Sequence, residues 1–262
     1  MWCVAELDEA CIAQMEDMLA LYEKPYKRTE PVLCLDEKPV SLHADVRPGR
    51  PPLPGHAARR DNEYKRCGTA NIFAVVEPKA GRHFNRATPN RSGQEFALTI
   101  RDLAAAYPLA RRIHLVMDNL NIHCRKSLTD SFGPQPGRTL WNRFKVHYTP
   151  KHGSWLNQAE IELSLLSRQC LGRRRIPAPG TLSREIRAWN ARANRNRTRI
   201  EWNFTRKAAR NKFGYKQNLF RRSKTWQLRG RCISPIAHRS GTSTTRSSWP
   251  EARHQIPCRA PA

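Results

Sequence analysis

Two short, largely apolar runs, "VLCL" at 32–35 and "IHLVM" at 113–117, each lead directly into an aspartate, Asp36 and Asp118. Runs of this length without polar alternation read as strands covered on both faces, so the chain must build a sheet with helices on either side. A carboxylate at the end of such a strand is unfavourable unless something cationic meets it. The pattern therefore predicts a layered α/β fold and, at one end of its sheet, a demand for positive charge.

The remaining elements fit that frame. Apolar residues recur at helical spacing in the first 24 residues, through Val4, Leu7, Cys11, Ile12, Met15, Met18, Leu19 and Tyr22, which predicts one amphipathic helix. The Pro- and Gly-rich "RPGRPPLPGHAARR" is a loop, because each proline removes a backbone donor. Two strands, "NEYKRCG" and "TANIFAVVEP", and a third in "GRHFNRATP" follow as a meander. Ser92 with Glu95 three residues on caps a helix that Pro108 ends. After the strand at 113–117 and a helical or irregular stretch near 125–144, "FKVHYTP" is a short strand and residues 151–171 a long helix. A further helix from residue 181 breaks around Asn194 to Thr198 and is followed by a short one ending near 213. The order predicts a mixed sheet, three meandering strands and then alternating α and β units, flanked by helices. It divides the chain into an N-terminal helix and linker at 1–30, a folded domain at 31–213, and a basic tail at 214–262 too poor in apolar periodicity to fold alone.

Forty-seven Lys and Arg against 22 Asp and Glu give a formal charge of +25, most of it before the tail. Such an excess points to nucleic acid, whose phosphates supply sequence-independent affinity. The eight cysteines have no zinc or redox spacing and read as reduced, mostly buried thiols of a cytoplasmic protein. His123 with Cys124, or His147 with His152, builds no four-ligand zinc site either. No apolar run is long enough for a membrane span, and the N-terminus is unlike a signal peptide.

Read alone, Asp36 is equally a turn residue or a partner of Lys38, and Asp118 an ordinary strand-end cap. With Glu160, on the helix that follows the last strand, they become an all-oxygen set of the kind Mg²⁺ or Mn²⁺ accepts. Glu160 and Glu162 are two apart and point to different faces, so one faces the pocket and the other faces solvent or a basic partner. Glu37, beside Asp36, reads as a solvent-facing or supporting group. Three blocks, "CLDEKP", "LVMDNLNIH" and "HYTPKHGSWLNQAEIELSLLSRQCL", resemble the signature motifs of DDE transposases of bacterial insertion sequences, in the branch related to the mariner superfamily. The resemblance spans roughly residues 1–213. It implies an RNase H-like fold, a catalytic and metal-binding triad of Asp36, Asp118 and Glu160, two Mg²⁺ or Mn²⁺ ions, and action on DNA at element ends and target sites by a homodimer. Of the two helix glutamates it selects Glu160. Asn119, Asn121, His123, Trp155, Leu156 and Asn157 match positions that shape the pocket. Lys151 and His152, before the catalytic helix, and Arg173, Arg174 and Arg175, after it, are candidate contacts to the DNA backbone. No membrane and no small-molecule substrate are expected.

The family's N-terminal helix-turn-helix has no counterpart here, and the tail does not resemble the family's ending. Both suggest a truncated, frame-disturbed copy acting in the bacterial cytoplasm, at the nucleoid when bound to DNA. The competing readings are a non-enzymatic basic remnant that binds nucleic acid and an RNase H-like nuclease or resolvase.

Overall fold

The computed structural model describes residues 7–215. The predicted tail, from residue 216 onward, lies outside the described residues. A six-stranded mixed sheet runs in the order β3-β2-β1-β5-β6, with β4 also paired to β2. Its strands are β1 (Val32–Asp45), β2 (Tyr64–Glu77), β3 (Arg82–His83), β4 (Arg86–Thr88), β5 (Ile113–Met117) and β6 (Phe144–Tyr148). The first three pair antiparallel, whereas β5 is parallel to both β1 and β6. This is the RNase H-like arrangement anticipated from the sequence.

Three details of the sheet differ from expectation. "NEYKRCG" and "TANIFAVVEP" form one strand, β2, whose pairing with β1 shifts register between Ser41 and His43, opposite Gly68 at φ 93°, instead of breaking. The third strand of the meander is broken into β3 and β4 at Phe84 and Asn85, where Asn85 turns its side chain inward to accept from the Val75 amide at 3.2 Å. Asp36 stands inside β1, which runs on to Asp45 as a long hairpin with β2. It nevertheless marks an end, since parallel pairing of β1 with β5 stops at Cys34. Asp36 and Asp118 thus lie where β1 and β5 part.

Helices cover both faces, as the apolar strands require. Leu33, Leu35, Phe73, Val75, Leu115 and Met117 pack against α2 (Gly93–Ala106) through Phe96, Ile100 and Leu103, and against α3 (Arg125–Phe132) through Leu128. α4 (Pro134–Trp141) follows directly. On the opposite face, Cys34, Val76 and Val116 meet α1 (Glu9–Glu23) through Met15, Met18 and Leu19, and Ala159 of α5 (Ala159–Leu166). Further along that face Ala70, Ile72 and Ala74 meet Leu166 and the residues Leu182, Ile186 and Trp189 of α6 (Pro179–Asn196). α7 (Arg206–Phe213) closes the order against α1. The predicted cap forms, the Ser92 hydroxyl accepting from the Glu95 amide at 3.3 Å; α1 begins at Glu9, later than the expected helix from residue 1, because Asp8 caps it by accepting from the Cys11 amide at 2.6 Å.

Of the five cysteines among the described residues, all free, only Cys34 and Cys170 are buried; Cys11, Cys67 and Cys124 are half-buried, a correction to the expectation of mostly buried thiols. No helix among the described residues is long and apolar enough to cross a membrane.

The segment after α6 is clamped on the hairpin between β2 and β3. Gly81 has φ 62°, and a Cβ there would lie 2.6 Å from the backbone of Arg197. Gly81→Ala should therefore destabilise the fold by about 2–4 kcal/mol, from left-handed strain and overpacking together, as measured by urea unfolding.

Candidate active site

The carboxylates divide into those that meet a protein cation and those that do not. Glu37 belongs to the first group. Its side chain is only 2% exposed and its Oε1 lies 2.7 Å from Nε2 of His123, which is fully buried. The other ring nitrogen of His123 lies 3.0 Å from the carbonyl oxygen of Asp118 and 2.7 Å from Asp118 Oδ1. With acceptors on both nitrogens, both must carry protons, so the ring is an imidazolium. Burial disfavours that charge, but the carboxylates of Asp118 and Glu37 outweigh it and hold His123 up at about 9. Glu37, Asp118 and His123 place a ligand atom each within 4.8 Å of one another. A doubly protonated ring has no lone pair to give a metal, so the three form an ion triad. Glu37 is accordingly a buried supporting group, and the solvent-facing reading is corrected.

Glu162 also meets a histidine. Its oxygens accept from Nδ1 of His83 at 2.9 and 3.0 Å and from Nδ2 of Asn85 at 2.6 Å, and its side chain is fully buried. Nε2 of His83 reaches the Thr198 carbonyl at 3.0 Å, and Asn85 also donates to Asn190 of α6 at 3.0 Å. The sequence left Glu162 facing solvent or a basic partner; the partner is His83, inside the protein.

Asp36 and Glu160 meet no such cation among the described residues. Asp36 is half-buried, and its Oδ1 accepts from the amide of Glu37 at 2.8 Å. Burial pushes its carboxyl up to about 7; the Glu37 amide opposes the rise, while the negative charges of Glu37, Glu160 and Asp118 add to it. Lys38, the alternative partner, donates instead to Ser167 at 2.7 Å. Asp118 is held below the usual carboxylate range by its contact with His123, yet its buried Oδ1 receives no aligned hydrogen bond, because the His123 proton is directed at the main-chain carbonyl. The rest of its side chain is open, at 45% exposure.

Glu160 is exposed on the first turn of α5. The helix begins at Ala159, later than the predicted 151–171 span, because residues 150–157 are used in tight turns: Gly153 donates to Pro150, Leu156 to Gly153 and Asn157 to Ser154. It also ends early, passing into a π-helix at Ser167–Leu171. Asn157 positions what remains. Its amide donates to the carbonyl of Leu35 at 2.7 Å, while its Oδ1 accepts from the Ala159 amide at 3.1 Å, tying the start of α5 to the residue before Asp36. Leu156, Ala159 and Leu166 are fully buried, and Leu163 packs partly, as the helix-docking pattern anticipated.

The cationic candidates separate as well. Lys151, His152 and Arg173 are exposed, with His152 in a left-handed conformation at φ 61°. Arg174 pairs with Glu185 at 3.0 Å and donates to the Cys170 carbonyl. Arg175 donates to Asp45 at 2.8 Å and to the carbonyls of Asp61, Asn62 and Glu63, and it stacks over Tyr64. These two arginines latch the protein's own segments. Arg91, absent from the sequence-based candidates, is near enough to Asp118 to help lower its carboxyl.

The sequence profile of the DDE superfamily endonucleases matches residues 31–183. The chain belongs to that superfamily, the class of DDE-type transposases that the three motif blocks resemble. Among solved structures it is similar to a Mos1 transposase paired-end complex with left transposon end (16% identity, TM-score 0.48, covering 76% of this chain and 62% of that one). It is similar too to the Mos1 mariner paired end complex with Mn (15%, 0.49, 76% and 62%). A pre-cleavage Mos1 transpososome matches at 14% identity and TM-score 0.43, covering 77% and 67%. The chain thus spans less than two thirds of the length of the first two. No curated protein matches.

Two outcomes follow for stability. Glu162→Ala should cost about 3–5 kcal/mol, since it strands His83 and Asn85 in the core, whereas Glu160→Ala should change stability by no more than about 0.5 kcal/mol; urea denaturation distinguishes them. Asp36 binds more protons folded than unfolded between its usual value and about 7, so its penalty is absent in acid and full above about pH 7. In EDTA, Asp36→Asn should therefore stabilise the protein by about 1–3 kcal/mol near pH 8, the gain fading towards about pH 4.

Proposed function

We propose that the chain is the catalytic domain of a DDE-type transposase, cleaving phosphodiester bonds at the ends of an insertion element and joining the freed 3′ ends to target DNA. The observation that carries this reading is the gathering of carboxylates where β1 and β5 part: half-buried Asp36 lies within reach of the like charges of Asp118 and Glu160 with no protein cation of its own among the described residues. Carboxylates are not gathered without a counter-charge unless a cation is to be held there. The donor set fits a hard divalent ion: all three side chains offer oxygen, and Asp118, although its Oδ1 meets His123, keeps a side chain that is 45% exposed. Asp36, Asp118 and Glu160 would hold Mg²⁺ or Mn²⁺, one ion or two. The chemistry supplied by such an ion is activation of water and neutralisation of charge at phosphorus.

The chain's own residues orient and support. His123 and Glu37 fix the position of Asp118; Asn157 sets α5, and with it Glu160, against β1 beside Asp36. The positive surface grips phosphate, with Lys151, His152 and Arg173 exposed on either side of α5 and Arg91 near enough to Asp118 to act on its carboxyl. Arg174 and Arg175 contribute to that rim through their charge while holding the loop ends. In this reading the catalytic domain is residues 31–213, preceded by α1, and it works in the cytoplasm as a homodimer on DNA.

Asp36→Ala, Asp118→Ala and Glu160→Ala should each reduce Mg²⁺-dependent nicking of DNA carrying the element's ends by about 10³-fold or more, with DNA binding intact in gel shifts. Nicking that survives all three substitutions excludes the proposal; equal cleavage of RNA–DNA hybrids or junctions favours a nuclease or resolvase instead.

A further inference from the structure

One further charged side chain lies along the seam where α5 packs on β1. The even-numbered residues of β1 face that helical layer: Cys34 shares a core with Ala159, and Leu42 with Leu166. Side chains two apart in a strand lie on one face, so Asp36 and Lys38 stand in line between those two contacts. Lys38 is half-buried, and its ammonium donates to the Ser167 hydroxyl at 2.7 Å. Among the described residues it forms no ion pair with a carboxylate.

An ammonium has three N–H donors, and one hydroxyl leaves two of them to be met from outside the chain. A half-buried positive charge on a neutral partner is the counterpart of Asp36: it is placed for an anion that the chain does not supply. Ser167 follows Glu160 by seven residues, two helical turns on and on the same side of the helix. The strand that carries Asp36 and the helix that carries Glu160 therefore also carry, one step further along both, a tethered cation. The helix changes from α to π at Ser167, whose carbonyl accepts from the Gly172 amide at 2.7 Å, and single π-turns of this kind are frequent at functional sites. Two residues of strand advance by about 6.6 Å, the scale of one nucleotide step along a DNA backbone.

We propose that Lys38 binds the backbone phosphate adjacent to the one cleaved, with Ser167 aiming its ammonium, and so sets how the strand lies across Asp36, Asp118 and Glu160. The role rests on the assignment of those three to the cleavage site. Lys38 itself makes and breaks no bond. It holds the strand by a charge-assisted contact to phosphate, which fixes position and is indifferent to base sequence.

Fluorescence anisotropy of the full chain with a nicked DNA duplex tests it, in Ca²⁺ so that binding is read without turnover. Lys38→Met keeps the apolar stem and removes the charge. It should weaken binding about fivefold to tenfold and lower the slope of log affinity against log salt by about one, whereas Lys38→Arg should keep the slope. Single methylphosphonate substitutions, each neutralising one phosphate, locate the contact. At one position beside the nick the wild type should lose at least about fivefold in affinity, and in Lys38→Met the same substitution should cost nothing further. Circular dichroism confirms the fold; if Lys38→Met does not fold, Lys38→Gln and Ser167→Ala are scanned in its place, and both should blunt that position. No binding by the wild type, an unchanged salt slope, no sensitive position beside the nick, or equal sensitivity in wild type and variant overturns the proposal and leaves Lys38 a structural clasp between β1 and α5. These readouts need no cleavage. Nicking lost in the Asp36, Asp118 and Glu160 variants without any methylphosphonate coupling to Lys38 therefore sinks this inference alone, while nicking that survives those variants sinks the reading on which it rests.

Discussion

Carboxylates set into an apolar sheet cannot stay charged without a cation, and the fold is organised around how each one meets that condition. Glu37 and Glu162 are buried and satisfied by histidines, His123 and His83, which sit on opposite faces of the sheet. Among the described residues, Asp36 and Glu160 are left with no cation of their own. Asp118 stands between the two groups, ion-paired on one side and open on the other. The protein thus neutralises the carboxylates that hold its elements together and leaves unneutralised those that face the gap between β1 and β5.

The short helix α5 shows why the two groups depend on each other. Eight residues form a marginal helix in isolation, so its position must come from tertiary contacts. Asn157 ties its start to β1, Leu156, Ala159 and Leu166 bury its apolar side, and Glu162 locks it to β3, β4 and α6 through His83, Asn85 and Asn190. Glu160 is then the residue that remains outside, carried beside Asp36 by contacts in which it takes no part. A buried glutamate two positions away anchors the helix that carries an exposed one within reach of Asp36.

Some of this was readable from the chain. The unalternating runs predicted buried strands, Ser92 and Glu95 a capped helix, and the joint order of three motif blocks a DDE superfamily domain, because each rests on local chemistry. The site was legible only in part. Locally the strand containing Asp36 reads as ending there, since nothing nearby in the chain reveals that β1 continues as a hairpin while its parallel partner stops. The chain alone does not reveal the partners of Glu37 and Glu162, because His123 and His83 are 86 and 79 residues away from them. The internal partners of Arg174 and Arg175 were hidden for the same reason: Glu185 and Asp45 are separate in sequence and adjacent in the fold.

The sequence by itself determined which segments must be buried, the positive surface and the three acidic positions, since apolar patterning, charge and motif spacing are properties of the chain. Tertiary structure alone decided which carboxylates are neutralised and which remain open. That choice is made by cations brought from remote positions and by the degree of burial, and neither exists until the sheet and its two helical layers have assembled.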